Sequence, residues 1–270
     1  MDGSPASISP LDLYSRIGSA AAPLLLDVRS IEAVHADGKG IVGAIHRPAA
    51  QASCWIPDLP TGRLVVAYCG DGGESSRSVA AALIAADLPA ACLEGGIEGW
   101  TERQLPTRRN ISAGAGGWVT RERPKIDRIA CPWLISRFID PHTQFFYVPP
   151  GRVLAVADET GATPYDIDGV EFTHEGERCT FDSILRIYDI HDPALDRLAA
   201  IVRGADTSRH ELTPQSGGLF AISLGLSANF PDDHQMLAHG SLVYDALYTW
   251  CRNLQHETHN WPAPARAANA

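Results

Sequence analysis

Val65-Val66-Ala67-Tyr68-Cys69-Gly70-Asp71-Gly72-Gly73-Glu74-Ser75-Ser76-Arg77-Ser78, followed by an alanine-rich run over 79–86, is the stretch whose reading decides the fold. A short apolar, β-branched run stops at one cysteine, passes through glycines and restarts as a helix capped by Ser75 or Ser76. This is a strand, a loop and a helix with a thiol at the turn. Glycines let the backbone curl so that successive N–H groups converge, and the helix start adds unpaired donors and its positive dipole end. Such a cup holds an anion or a thiolate. Cys69 is therefore a candidate reactive thiol, against the bland reading of a free cysteine as a small apolar filler.

Outward from this stretch the same rhythm repeats. Ser9 and Pro10 cap and open a helix over 11–17, and Pro23-Leu24-Leu25-Leu26-Asp27-Val28 reads as a buried strand. Further apolar runs at 41–45, 64–68 and 90–93 alternate with helical patterns near 31–36, 49–55, 77–86 and 97–103. Alternation of this kind predicts an α/β fold, a parallel sheet with helices on both faces, and places the Cys69 loop beyond the carboxyl ends of the strands, where ligands sit.

Length and composition bound the function. At 270 residues the chain has room for two domains. Hydrophobic content of 45 % with 20 % charged residues is that of a globular protein, and no apolar run approaches bilayer length. Met1-Asp2-Gly3-Ser4-Pro5 has neither the basic flank nor the apolar core of a signal peptide, so the expected location is cytoplasmic with no membrane partner. Six cysteines, at 54, 69, 92, 131, 179 and 251, include no CxxC pair and suit a reducing compartment. A net charge of −10 disfavours nonspecific nucleic-acid binding. No nucleotide-cofactor signal is present, and nothing in the pattern fixes the oligomeric state.

Four segments in order, Leu25-Leu26-Asp27-Val28-Arg29, Gly43-Ala44-Ile45-His46-Arg47-Pro48, Tyr68-Cys69 with its loop, and Leu93-Glu94-Gly95-Gly96-Ile97-Glu98-Gly99-Trp100, together resemble a rhodanese domain over about the first 105 residues. The resemblance implies a sulfurtransferase in which Cys69 takes sulfane sulfur, holds it as a persulfide and passes it to an acceptor. The loop Gly70, Asp71, Gly72, Gly73, Glu74, Ser75 and Arg77 would then cradle the persulfide or an anion. One departure matters: the family's loop runs Cys-x-x-Gly-x-Arg, and here Glu74 stands at the arginine position. Glu74 and Asp71 oppose an anionic donor such as thiosulfate. Alternatively a longer loop runs from Cys69 to Arg77. Asp27, Arg29 and Glu94 read as organisers of loop backbone, and Trp100 as a packing residue.

The small, polar, Gly-rich stretch from Pro106 to Gly117 marks a boundary. The expected division is a first domain over 1–108, a linker over 109–118 and a second domain over 119–270. The second half reads as mainly helical α+β. It has a helix over 125–138 that Pro132 should kink, a strand at 145–148, a hairpin at 165–172 turning at Asp168-Gly169, and helices near 181–187, 194–204, 214–226 and 233–253. The segments Lys125 to Asp140, His174 to Asp182, Gly218-Leu219, and Asp232-Asp233-His234 through Tyr248 resemble the C-terminal domain of chromate-resistance proteins. That resemblance implies a link to chromate resistance, and some members of the family are chromate-responsive regulators.

Asp127 and Cys131 lie four apart and share a helical face with Arg128 nearby. His174 and Cys179 flank a short turn, and His234 stands near a helix start. Imidazole, thiolate and carboxylate are ligands of zinc and transition metals, which makes Asp127, Cys131, His174, Cys179 and His234 candidate ligands, against the reading of buried, hydrogen-bonded polar groups. His191 reads as a turn or cap residue, and Cys251 as a core residue of the last helix. Two classes of function follow. In one, Cys69 transfers sulfur or attacks a thiol-reactive substrate, so that the partner is a small sulfur compound or oxyanion. In the other, the chain is a chromate- or metal-responsive sensor with a non-catalytic rhodanese module.

Overall fold

Strands buried on both faces must be apolar throughout, and the computed structural model, which describes residues 5–111 and 116–258, places such runs at the centre of a sheet. In chain order the first half comprises β1 (Ala6–Ile8), α1 (Pro10–Arg16), β2 (Leu24–Asp27), α2 (Ile31–Asp37), β3 (Lys39–Ile41), β4 (Ala44–His46), α3 (Ala52–Trp55), β5 (Val65–Tyr68), α4 (Glu74–Ala85), β6 (Ala90–Leu93), α5 (Gly96–Glu102) and β7 (Thr107–Arg109). The main sheet has the order β1-β6-β5-β2-β4, with every neighbouring pair parallel. β2, β5 and β6 are buried at each position.

Three local expectations are corrected. The run at 41–45 is not one strand: Gly43, at φ +73°, turns the chain, so that β3 pairs antiparallel with β7 outside the main sheet while β4 forms its edge. The opposite edge, β1, escaped notice because only one of its three residues is buried. Finally, α4 starts at Glu74 with Gly73 as N-cap and no side-chain cap, since the Ser76 hydroxyl turns back to the Gly73 carbonyl at 3.2 Å.

The second half comprises β8 (Trp118–Arg121), α6 (Asp127–Phe138), β9 (Phe145–Val148), α7 (Val153–Thr160), β10 (Thr163–Pro164), α8 (Thr180–Ile187), α9 (Pro193–Asp206), α10 (Ser216–Asn229) and α11 (Asp233–Thr249). Its sheet, β10-β8-β9, is parallel. Pro132 does not break α6. Proline removes the N–H that the Arg128 carbonyl would accept, and the Tyr147 hydroxyl donates to that carbonyl instead, at 3.1 Å. No hairpin forms over 165–172: Tyr165 and Phe172 make a single parallel bridge, with Gly169 at φ +80° in the intervening turn. Of the expected linker, residues 112–115 lie outside the described residues, while Arg109 belongs to β7 and Trp118 to β8.

The two halves share one apolar core, in which Leu13, Leu25 and Trp100 from the first are continuous with Phe138, Tyr244 and Tyr248 from the second. Asp192 joins them. Fully buried, it caps α9 by accepting from Ala194 N and Leu195 N, and it also accepts from the hydroxyls of Tyr14 at 2.9 Å and Tyr248 at 2.8 Å. Burial, then the nearby carboxylate, pushes the Tyr14 hydroxyl up to about 12, so it stays a donor. Arg252 lies over both tyrosine rings and donates to the carbonyls of Tyr14, Ser15 and Ile17. Asp192→Ala leaves the buried Tyr248 hydroxyl, the half-buried Tyr14 hydroxyl and two helix-start N–H groups without their acceptor. It is expected to cost about 3–5 kcal/mol in urea unfolding, against about 1 kcal/mol for Tyr14→Phe.

Candidate functional site

Two groups of functional side chains result. The first is the Cys69 loop at the carboxyl end of β5. Helix α4 begins five residues after Cys69, so Glu74 opens the helix and Arg77 lies one turn into it, exposed. Gly72, at φ +75°, leaves no room for a Cβ, which would meet Gly95 N at 2.7 Å. Cys69 is 7 % exposed. Its Sγ donates toward Asp71 Oδ1 at 3.5 Å and lies 3.3 Å from Ser76 Oγ. The same Asp71 oxygen accepts from Gly73 N at 2.8 Å. Gly73 N–H and the Cys69 thiol together hold the Asp71 carboxyl below its usual range. The expected cup of loop N–H groups is thus served, at Gly73, by the chain's own carboxylate. Ser75 and Glu74 are exposed at the rim.

Asp27 and Arg29 bond loop backbone, whereas the Glu94 side chain meets a side chain of β1 rather than its own loop. Arg29 is bidentate to Asp27 at 2.6 and 2.9 Å and also bonds Asp37 and the Lys39 carbonyl, while Tyr68 Oη donates to Asp27 at 3.0 Å. Glu94 accepts from Ser7, and Trp100 is fully buried.

The second group lies where α6, α8 and α9 meet. Asp127 opens α6, and its carboxylate accepts from Thr180 N at 2.6 Å and Phe181 N at 3.2 Å, the free donors that start α8. A turn through Gly176, at φ +60°, brings His174 back over it. His174 Nε2 then lies 3.2 Å from Asp206 Oδ2, 3.4 Å from Asp166 Oδ1 and 3.6 Å from Asp127 Oδ2. Asp166 also accepts from Thr180 Oγ1 at 2.9 Å and pairs with Arg121 and Arg128. Hydrogen bonding to Asp166, and next to Asp206, pushes the His174 imidazole up to about 10, against the effect of burial. Burial, followed by the charges of Asp206 and Asp166, pushes the Asp127 carboxyl well up. Asp166 is held low despite its burial, by His174, Thr180 and the two arginines.

Asp127, Arg128 and His174 are therefore brought together as the sequence suggested, and three other candidates take different places. Cys131 donates from Sγ to Asp127 Oδ1 at 3.5 Å, and burial, then the charge of Asp127, pushes its thiol well up. Cys179 is the fully buried N-cap of α8, its thiol likewise pushed well up by burial and then by Asp127. His234 is exposed, edge-on to Tyr147, and outside the carboxylate group. Sequence reading missed Asp166, placed in an arm of the expected hairpin, and Asp206, at the end of α9. Neither carries a spacing that points to His174. His191 pairs with Asp189, and Cys251 is buried.

Residues 9–103 match the family model of the rhodanese-like domain, and residues 118–251 match that of the ChrB C-terminal domain. Protein ChrB of Cupriavidus metallidurans is 33 % identical over 146 residues, 54 % of this chain and 44 % of that protein. The chain thus spans less than half the length of this relative. Among solved structures, a rhodanese-related protein of Thermoplasma volcanium is 25 % identical, covering 38 % of this chain and 96 % of its own, with a TM-score of 0.34. A full-length protein of Lactobacillus plantarum is 28 % identical, covering 38 % and 87 %, with a TM-score of 0.36. Among the described residues no helix is long and apolar enough to cross a membrane.

The Asp71 carboxylate beside Sγ repels anionic reagents more than neutral ones. Alkylation of Cys69 by iodoacetate relative to iodoacetamide, followed by mass spectrometry of the Cys69 peptide, is expected to rise roughly threefold to tenfold in Asp71→Asn.

Proposed function

We propose that this chain, a rhodanese-like domain over residues 9–103 followed by a ChrB C-terminal domain over residues 118–251, is a sulfurtransferase-like protein of a chromate-resistance system whose Cys69 accepts sulfur from a donor of low charge. The observation that carries the reading is the acidic setting of the thiol: Asp71 at 3.5 Å and Glu74 at the start of α4, with Arg77 exposed on the helix beyond. A dianion such as thiosulfate meets two carboxylates there, whereas a hydropersulfide R–S–SH does not carry that penalty. Asp71, already hydrogen-bonded to Sγ, is placed to take its proton. The sulfur of Cys69 then attacks the outer sulfur of the donor; the new S–S bond forms as the donor's S–S bond breaks. The net change is Cys69–SH plus R–S–SH giving Cys69–S–SH plus R–SH. Asp71 returns the proton to the leaving R–S⁻, and Gly73 N–H, released when Asp71 moves, is a donor for the outer sulfur of the Cys69 persulfide.

A second reading, a chromate- or metal-responsive sensor with a non-catalytic rhodanese module, is favoured by the burial of Cys69 among Val79, Leu83 and Val65. One experiment separates the two: transfer of sulfur to cyanide by purified full-length protein, with an alkyl hydropersulfide or thiosulfate as donor. The expected result is turnover at least about tenfold faster with the hydropersulfide, abolished with both donors in Cys69→Ser. Equal rates in wild type and Cys69→Ser would discard Cys69 as the sulfur carrier and leave the sensor reading.

A further inference from the structure

His174 Nε2 can direct one N–H at one acceptor, yet carboxylates from three separate parts of the chain converge on it within 3.2–3.6 Å. The charge of Asp166 is answered by Arg121 and Arg128. Asp127 and Asp206 have no such partner: among the described residues neither makes an ion pair with Lys or Arg, and both meet the same imidazole. Asp127 has a side chain just 2 % exposed, and buried carboxylates are paired or bound to metal. The ligand atoms of Asp127, His174 and Asp206 lie within 4.8 Å of one another, so one ion reaches all three at about 2 Å with small side-chain adjustments.

From this arrangement we infer that Asp127, His174 and Asp206 bind a divalent cation, which replaces the Nε2 proton of His174 and joins the two carboxylates. The donors are oxygen and imidazole nitrogen, and Cys131 is hydrogen-bonded to a ligand rather than a ligand itself. That set suits Mn²⁺ or Zn²⁺ and offers no thiolate for softer ions. The surroundings hold the ligands as metal sites require: Thr180 N, Phe181 N and Cys131 Sγ fix the Asp127 carboxylate. The His174 side chain is 41 % exposed, which leaves the ion a route in and open positions for water or an oxygen-donor ligand.

The inference is independent of sulfur transfer at Cys69, and its test does not use that activity. Full-length, tag-free protein is stripped with a chelator and titrated with Mn²⁺, followed by calorimetry and the electron paramagnetic resonance of free Mn²⁺; Zn²⁺ is titrated separately. One ion per chain and a rise in Tm with added metal are expected for wild type and for His234→Ala. His174→Gln and Asp206→Asn are expected to bind at least about tenfold more weakly and to show no such rise. Asp127→Asn also removes an acceptor of α8 and is not needed: His174 is exposed enough for His174→Gln to fold, as far-ultraviolet circular dichroism of the stripped protein verifies. Failure of wild type to bind either ion, or undiminished binding by His174→Gln, would overturn the site.

Discussion

The second half is arranged around one buried carboxyl group. Asp127 opens one helix and satisfies the first donors of another, so its carboxylate fixes the approach of α6 to α8. A carboxyl that deep is tolerated only with compensation, and two N–H groups of a helix start supply part of it. The remainder comes from His174, which reaches over from a turn on the surface. From this constraint follow the closeness of α9, which brings Asp206, and the position of Cys131 one helical turn along from Asp127. A carboxyl serving only as a cap would not need Asp206 opposite it, since that second anion makes the first more costly.

The Cys69 loop meets the reverse difficulty. Its backbone is shaped for anions, with Gly72 in the left-handed region and packed against the backbone of Gly95 and Gly96, while the side chains around it are acidic. Asp71 resolves the conflict within the chain by placing its own carboxylate on the Gly73 N–H and beside Sγ. The loop's shape and its charge therefore pull in opposite directions: the backbone is formed to receive an anion, and the carboxylates at its rim repel one.

Much of this was legible in the order of residues. The apolar runs ending in Asp27, Cys69 and Leu93 fixed a parallel sheet, because each is too uniformly apolar for a strand with one wet face. Ser9 and Pro10 marked α1 correctly, and Asp127, Arg128 and His174 were singled out on chemistry alone. What escaped was non-local. β1 is short and largely exposed, the split at Gly43 depends on the Phe138 carbonyl that its N–H meets at 2.6 Å, and the survival of α6 through Pro132 depends on the Tyr147 hydroxyl. Asp166 and Asp206 belong to the site only through tertiary contacts, while His234 is exposed beside Tyr147 and Cys179 is buried at the N-cap of α8. Residue type suggested ligands, but only packing decided which of them converge.

The shared core also decides how freely the two halves can part, while Cys69 packs in a separate apolar cluster of the first half. Separating the two halves would expose Leu13, Phe138, Tyr244 and Tyr248, at about 1.5–3 kcal/mol for each large apolar side chain, and would strip Asp192 of both tyrosine donors. Opening of that size is a large fraction of a domain's whole stability. Asp71, by contrast, is exposed and held at the loop by Gly73 N–H and the thiol alone. Rotation of one surface carboxylate is far less costly than parting a core. The polar surroundings of Sγ can therefore change by movement of a single surface side chain while the shared core stays closed.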